Sequence, residues 1–202
     1  ARPGAAPLAP GAGYDASFEA TLPLFADGTW RVLVVPDADD ALEEGDGDGD
    51  AAGAPITVDL APFADLVVTA VSAPALTLDD PADLEVSWTV RNEGTGVGGQ
   101  LDWTDRVILS TDAAVGGADD VVIGEIRHEG GLAPGESYTR TETFRLVPGA
   151  LGRFTLFVVP DAAEEVFENG AEDDAAAADG PVDVAPFPDA DLVVERVEVD
   201  TG

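Results

Sequence analysis

Apolar and polar residues alternate with a period of two through much of the chain. In the stretch LEVSWTV the apolar positions are Leu84, Val86, Trp88 and Val90, with polar residues between them. Successive side chains of a β-strand point to opposite faces, so this spacing predicts a strand with one buried face. The same alternation occurs earlier, at Tyr14, Ala16, Phe18, Ala20 and Leu22.

Seven segments of this kind are predicted as strands, at roughly 65–72, 83–91, 102–110, 120–127, 137–147, 153–160 and 180–185. Glycine-rich turn signals such as NEGTGVGG, AVGGADD and APGES separate them. The segment RFTLFVVP is apolar on both faces, as expected for a central strand. Only AEDDAAAADG is compatible with a helical turn. The pattern predicts an all-β fold of antiparallel immunoglobulin-like β-sandwiches in tandem.

The chain contains an internal repeat. LAPGAGY at 8–14 returns as LAPGESY at 132–138, and WRVLVVPDA at 30–38 returns as FTLFVVPDA at 154–162, both at an offset of 124. After the acid-rich stretch PDADDALEEGDGDGDAAG at 36–53 the offset becomes 126, since ADLVV at 64–68 returns at 190–194. A domain-sized period predicts the second half of one repeat at 1–62, a complete repeat at 63–188 and the first strand of a third repeat at 189–202.

Five ordered motifs of the complete repeat carry a family resemblance: ADLVVTAVSAP, VSWTVRNEGTG, WTDRVILSTD, LAPGESYTRT and FVVPDAAEEVFENGAEDDA. They resemble the CARDB module, a cell-adhesion-related domain of bacteria. The resemblance implies an immunoglobulin-like sandwich, usually in tandem in large secreted or surface-attached proteins of bacteria and archaea. It does not imply a particular ligand. One departure is that Asp173–Asp174 stands where family members usually carry paired Asn.

Composition narrows the function classes. The formal net charge of −32 excludes nucleic acid as a plausible partner, because the phosphate backbone would repel the chain. Cysteine is absent, and the one histidine, His128, has no nucleophile motif around it, so the chain is expected not to be an enzyme. No apolar run reaches membrane-spanning length. The first ten residues lack a signal-peptide pattern, so any export signal is expected outside this segment.

Carboxylates that recur in both copies of the repeat are the candidate metal ligands. The five pairs are Asp37/Asp161, Asp40/Glu164, Glu44/Glu168, Asp48/Glu172 and Asp50/Asp174. The conspicuous GDGDGD rhythm does not recur, and neither copy fits the helix–loop–helix calcium rule. The recurring acids lie in a connection of about twenty residues between two strands, a length typical of functional or disordered loops. Calcium is the metal that this oxygen-rich set suits. A solvated, salt-tolerant acidic loop is the alternative explanation.

Three further features have candidate roles. Asp112, Asp119 and Asp120 flank a glycine turn, either as a second metal site or, with Ser110 and Thr111, as caps of the turn. Trp103, Asp105 and Arg106 in LDWTDRV are expected to belong to a buried or semi-buried pair of Arg106 with a carboxylate that fixes the sandwich, rather than to a ligand pocket. His128 is expected at the surface or in a turn at a strand end.

These observations predict a non-catalytic structural or adhesive protein at the surface of a bacterial or archaeal cell. Tandem domains would form a stalk, fibre or surface array, and calcium would stiffen loops at the domain junctions. The expected partners are neighbouring repeats of the same chain, identical chains in a fibre and an unidentified surface ligand. Two alternatives stay open: a filament subunit assembled by strand addition, and an accessory module of a secreted hydrolase.

Overall fold

The structure, a computed structural model, describes residues 8–39, 51–170, 175–188 and 193–199. The chain divides into two compact units, Ala1–Ala61 and Pro62–Gly202. The first unit contains strand β1 (Gly28–Val34) and strand β2 (Ala52–Val58). These two strands pair antiparallel, with Trp30 opposite Ile56. Residues 13–22 form no strand, although their alternation resembles that of one. A strand needs a neighbour to satisfy its backbone N–H and C=O groups, and within the described residues this segment has none.

In its described residues the second unit contains nine strands. They are β3 (Leu66–Ser72), β4 (Leu76–Leu78), β5 (Asp83–Asn92), β6 (Trp103–Ser110), β7 (Val121–His128), β8 (Ser137–Arg145), β9 (Gly152–Val159), β10 (Ala176–Ala177) and β11 (Val182–Ala185). One sheet has the order β3-β5-β8, and the other has the order β4-β11-β9-β6-β7, with β10 also paired to β9. All strand pairs are antiparallel except β11 with β4. The described part of the chain contains no helix, so the all-β prediction is confirmed.

The core lies between these two sheets. Each contributes the inward residues of its alternating strands: Leu84, Val86, Trp88 and Val90 from β5, Val107 and Leu109 from β6, and Leu156 and Val158 from β9. All eight are at most 2% exposed. Fully burying a side chain such as Val or Leu stabilises the fold by about 1.5–3 kcal/mol relative to leaving it in water. This shared layer of apolar side chains is what makes the two sheets a β-sandwich.

All seven predicted strands of the second unit are present, within a few residues of their predicted ends. Sequence periodicity missed β4 and β10, which have three and two residues and are too short to show a period. The helical turn expected in AEDDAAAADG is wrong at Ala176–Ala177, because this pair instead extends the sheet beside β9. Residues 171–174 of the same stretch lie outside the described residues.

Candidate functional site: the acidic loop and the entry segment

The acidic loop of the second unit is the connection between β9 and β10, residues 160–175. Its described beginning folds around the side chain of Asp161. Its Oδ1 accepts a hydrogen bond from the Glu165 backbone N–H at 2.8 Å, and its Oδ2 accepts one from the Val166 N–H, also at 2.8 Å. Asp161 has a φ of 40° and a side chain turned inward, so it is almost completely buried. Burial raises the pKa of the Asp161 carboxyl above its ordinary value, while the two backbone hydrogen bonds act in the opposite direction. This carboxylate closes the turn that begins the acidic loop.

The middle of the loop packs against the loop between β5 and β6. Val166 is buried in the core, and the Phe167 N–H donates to the Gly98 carbonyl oxygen at 3.1 Å. Gly98 has a φ of +72°, and a Cβ added there would lie 2.4 Å from the Val166 Cγ1. Glycine is therefore required at this position both for the backbone conformation and for the close approach of the two loops.

Glu168 fastens the same loop to the first strand of the unit. Its Oε1 accepts a hydrogen bond from the backbone N–H of Leu66, the first residue of β3, at 2.5 Å. Glu168 is 5% exposed and Leu66 is 1% exposed, so water has little access to either group. Hydrogen bonds to a charged acceptor are roughly twice as strong as neutral ones. The Glu168 carboxylate thus joins two segments that are 102 residues apart in sequence.

The segment by which the chain enters the second unit, Phe63–Leu66, is bonded at every residue. Its four consecutive backbone N–H groups donate, in order, to Thr95 Oγ1, the Phe167 carbonyl oxygen, Asn92 Oδ1 and Glu168 Oε1. The acceptors alternate between the end of β5 with the loop that follows it, at Asn92 and Thr95, and the acidic loop, at Phe167 and Glu168. The Phe63 and Phe167 rings also meet edge to face, with centroids 6.4 Å apart. We call Phe63–Leu66 the entry segment; its ladder of bonds ties it to the body of the sandwich.

The structure places only some of the predicted metal ligands. Asp161 and Glu168 are used by backbone N–H groups, whereas the side chain of Glu164 is exposed. Asp37 has a φ of 43°, close to the 40° of its counterpart Asp161, so both copies begin the loop alike. The remaining six lie outside the described residues: Asp40, Glu44, Asp48, Asp50, Glu172 and Asp174.

Within the described residues, no group of three or more His, Cys, Asp or Glu side chains could hold a metal ion. Calcium prefers six to eight oxygen ligands, and the two buried carboxylates already accept backbone hydrogen bonds. Asp161 and Glu168 thus have a structural role in this loop, and the calcium prediction stays a prediction.

The hairpin between β6 and β7 is held by its own carboxylates. Asp119 Oδ2 accepts hydrogen bonds from the Ser110 hydroxyl and from both the N–H and the hydroxyl of Thr111. Hydrogen bonds from Thr111 and Ser110 lower the pKa of Asp119 to about 2. Asp120 Oδ2 accepts the N–H groups of two glycines in the turn, and Asp112 Oδ1 accepts the N–H of Ala114. This geometry is that of caps on the turn, the second of the two predicted roles.

A buried carboxylate, Asp105 of the LDWTDRV stretch, lies in the core of the sandwich. It accepts hydrogen bonds from the indole N–H groups of Trp88 (2.8 Å) and Trp103 (3.1 Å) and from the Tyr138 hydroxyl (2.5 Å). Burial raises the pKa of Asp105, although all three hydrogen bonds favour the ionised form. Burial and the nearby Asp105 charge raise the pKa of Tyr138 as well. One acceptor-only side chain thus satisfies three donors contributed by β5, β6 and β8.

Arg106 and His128 lie near this cluster. Arg106 pairs with a carboxylate, Glu125 on β7 at 2.8 Å, and its side chain is semi-buried at 35% exposed, whereas the fully buried charge is its neighbour Asp105. The charged Arg106 side chain alternates with Asp105 and therefore faces outward. His128 does end β7, but it is half-buried rather than exposed, because its ring stacks between Trp103 and Tyr138, with centroids 4.1 and 4.0 Å away. Burial lowers the pKa of His128.

The fold and these contacts define a β-sandwich module. The sequence profile of the CARDB family matches residues 63–178, more than half of the chain, and the chain belongs to that family. CARDB domains occur in surface proteins of bacteria and archaea. No helix in the described residues is long and apolar enough to cross a membrane.

Solved structures give two kinds of match. A CARDB domain from Pyrococcus furiosus, described as a complex with di-metal ions, is 20% identical, with a TM-score of 0.44, and the match covers 61% of this chain and 96% of that one. A β-glucosidase from Listeria innocua is 17% identical, with a TM-score of 0.38, and the match covers 61% of this chain and only 16% of that one. The search of curated proteins found no match.

Proposed function

We propose that this chain is part of an extracellular array of CARDB-like sandwiches that acts as a stalk, fibre or adhesive surface. Parts of the repeat sequence lie on both sides of the complete copy: a half-repeat precedes residue 63, and the ADLVV motif returns at 190–194. In this role the protein acts by length, stiffness and multivalency rather than by catalysis.

The observation that carries this proposal is the ladder of bonds along the entry segment. Four consecutive N–H groups at Phe63–Leu66 have acceptors in two different parts of the same sandwich, the acidic loop and the end of β5 with the loop that follows it. The chain therefore enters the domain along a fixed path, and the freely rotating part of any connection ends before Phe63. A spacer requires this property, because every flexible residue between domains shortens the mean distance that an array can span.

Solution scattering from two, four and six joined copies of residues 63–188 tests the proposed spacer role. The ten residues of β5 at about 3.3 Å each make one sandwich at least about 33 Å long. An extended array is expected to gain at least that length in maximum dimension with each added copy. A maximum dimension that grows as the cube root of copy number would describe a collapsed particle and would contradict the proposal.

Calcium remains a proposal for the outer part of the acidic loop. Glu172 and Asp174, together with exposed Glu164, would supply oxygen ligands there, while Asp161 and Glu168 continue to hold the backbone. Calcium at 100- to 1,000-fold above its dissociation constant would stabilise the fold by about 2.7–4.1 kcal/mol. Thermal melting of the chain in EDTA and in millimolar calcium, at matched ionic strength, measures this difference. Equal melting temperatures would show that the acids are a solvated surface.

An accessory role in a secreted hydrolase stays a prediction, for which the flanking sequence is the test. A catalytic domain encoded beside these repeats would replace the stalk with a module that positions an enzyme. Assembly of a filament by strand addition also stays a prediction.

A further inference from the structure

Strand β8 lies at one edge of the three-stranded sheet, and its outer edge is long and regular. In the described residues it pairs with β5 alone. All nine residues of β8 pair with β5 without a shift in register. The other edge strands that the structure describes in this sandwich are interrupted: β4 has three residues, and the pairings of β3 and β7 each contain an irregularity. Short or bulged edges resist further pairing, so β8 is the edge best suited to accept another strand.

The backbone groups on this outer edge belong to alternate residues of β8. At the two ends of the pairing with β5, the Leu146 N–H donates to the Ala82 carbonyl oxygen at 2.9 Å, and the Asn92 N–H donates to the Glu136 carbonyl oxygen at 3.0 Å. Hydrogen-bonded and non-bonded pairs alternate along an antiparallel ladder, so the even-numbered residues of β8 direct their N–H and C=O groups towards β5. The odd-numbered residues therefore direct theirs to the outer edge.

The sequence of β8, SYTRTETFR, is complementary to itself when the strand is reversed about Thr141. Antiparallel pairing of two copies centred at this residue places Thr141 opposite Thr141. It also places Tyr138 opposite Phe144, and Arg140 opposite Glu142 on both sides of the centre. Since Thr141 is an odd-numbered residue, its backbone groups face the outer edge and the hydrogen bonds of this register can form.

Neighbouring registers lack this complementarity. The odd-numbered residues next to the centre are Thr139 and Thr143, and either could also present its backbone groups to a second copy. A centre at Thr139 places Arg140 opposite Tyr138, and a centre at Thr143 places it opposite Leu146. Both charge pairs are lost in either case, so the side chains select the register centred on Thr141.

Arg140 and Glu142 make this edge selective. Their side chains are 37% and 38% exposed and pair with each other at 3.0 Å, and the Arg140 guanidinium also donates to the Arg127 carbonyl oxygen on β7. A second copy adds its own Arg140 and Glu142 at non-hydrogen-bonded positions of the ladder, where opposed side chains lie closest, and completes a ring of four alternating charges. Charged side chains on an edge oppose pairing with most strands, but they favour a strand that carries the complementary charges.

We propose that β8 is an interaction surface for β8 of a second copy of this chain. The two copies form a twofold-symmetric dimer whose axis passes between the two Thr141 residues. Their three-stranded sheets join into one continuous sheet with the order β3-β5-β8-β8-β5-β3. The proposal rests on the contacts and sequence of one strand and is independent of the spacer role.

Sedimentation equilibrium of the full chain tests the dimer and its charge pairs. Each chain has a formal net charge of −32, so the measurement is made in about 0.15 M salt, which screens charges more than about 8 Å apart. Chain concentrations up to about 1 mM detect a Kd in the millimolar range. The unsubstituted chain is expected to dimerise, and a monomer over the whole range would overturn the proposal.

Charge reversal on β8 provides the variants for this measurement. Arg140→Glu places like charges opposite each other and is expected to weaken the dimer by about tenfold or more. Combining it with Glu142→Arg restores the alternation of charges and is expected to restore the dimer. Arg153→Glu on β9 makes the same change in net charge in the other sheet, and as the matched control it is expected to leave the dimer unchanged. A dimer that Arg140→Glu does not weaken, or that the double substitution does not restore, would overturn the proposal.

Cysteine cross-linking of the full chain tests the register. The chain has no Cys, so Thr141→Cys introduces a single thiol beside the twofold axis. Opposed residues of a hydrogen-bonded antiparallel pair have Cα atoms about 5.5 Å apart, which a disulfide can span. Oxidation with diamide is therefore expected to give a covalent dimer. Thr139→Cys is the matched control, because its thiol is equally exposed but lies about 13 Å along the strands from its copy. Cross-linking of Thr139→Cys as fast as that of Thr141→Cys would overturn the proposal.

Discussion

Replacing Glu168 by Ala separates a structural role of the acidic loop from a metal-binding one. The substitution removes the carboxylate that accepts the Leu66 N–H at 2.5 Å. Because Leu66 is 1% exposed, water cannot readily replace this acceptor. A buried donor left unpaired costs about 1–3 kcal/mol, and the charged acceptor places Glu168→Ala in the upper part of that range. For a urea m-value of about 2 kcal/mol/M, the unfolding midpoint of the second unit is expected to fall by about 1–1.5 M.

The assay is urea unfolding followed by tryptophan fluorescence, since Trp88 and Trp103 are buried in the second unit. Glu164→Ala is the matched control: it removes the same charge from the same loop, but its side chain is exposed and its effect is expected to stay within about 0.5 kcal/mol. Glu168→Gln retains an acceptor oxygen and is expected to lose less than Glu168→Ala. Equal midpoints for the two Ala variants would refute the structural role. A Glu168→Ala deficit seen in calcium and absent in EDTA would assign Glu168 to a metal instead.

Three further predictions concern the turn, the hairpin and the core. Gly98→Ala places a methyl group 2.4 Å from Val166 Cγ1 at a positive φ, so the same urea assay is expected to show a loss of about 1–3 kcal/mol; an unchanged midpoint would mean that the loops separate freely. The pKa of Asp119 is lowered from 3.8 to about 2 by Thr111 above all, so its contribution to stability is present above pH 4 and lost as pH falls towards 2. Asp119→Ala should therefore flatten the decline in melting temperature over that interval, and a parallel decline would contradict this. Burial raises the pKa of Asp105 above 3.8, which means that its ionisation destabilises the folded state. The free energy of unfolding of the unsubstituted chain, measured relative to that of Asp105→Asn, should fall as pH rises from 3.8 through the raised pKa of Asp105. A difference that stays constant with pH would contradict a raised pKa at Asp105.

Much of the sandwich could be predicted from the alternation of apolar residues, because that alternation is the physical cause of the strands. Leu84, Val86, Trp88 and Val90 are buried for the same reason that their spacing identifies β5. The strands that escaped prediction, β4 and β10, contain too few residues to show a period and depend on their neighbours in the sheet. Residues 14–22 show the converse: a good pattern forms no strand where the described residues offer it no partner.

Less of the candidate site could be predicted from the sequence than of the fold. Comparing the two copies of the repeat did identify Asp161 and Glu168 as recurring acids, but recurrence alone cannot distinguish a metal ligand from an acceptor of backbone hydrogen bonds. The partner of Glu168 is 102 residues away, and only the fold brings Leu66 to it. Asp105 did leave a signal in the sequence: it shares the parity of the core residues Trp103 and Val107, which marks a carboxylate pointing inward.

The most direct test of the central claim, that the loops fix the path by which the chain enters the sandwich, is amide hydrogen exchange at the entry segment. The account predicts that the four amides of Phe63–Leu66 exchange nearly as slowly as those in the middle of β5, because all four are bonded to the acidic loop or to the end of β5 and the loop that follows it. Exchange at the rate of an unstructured peptide at these four residues, with β5 protected, would show a flexible entry and would contradict the account.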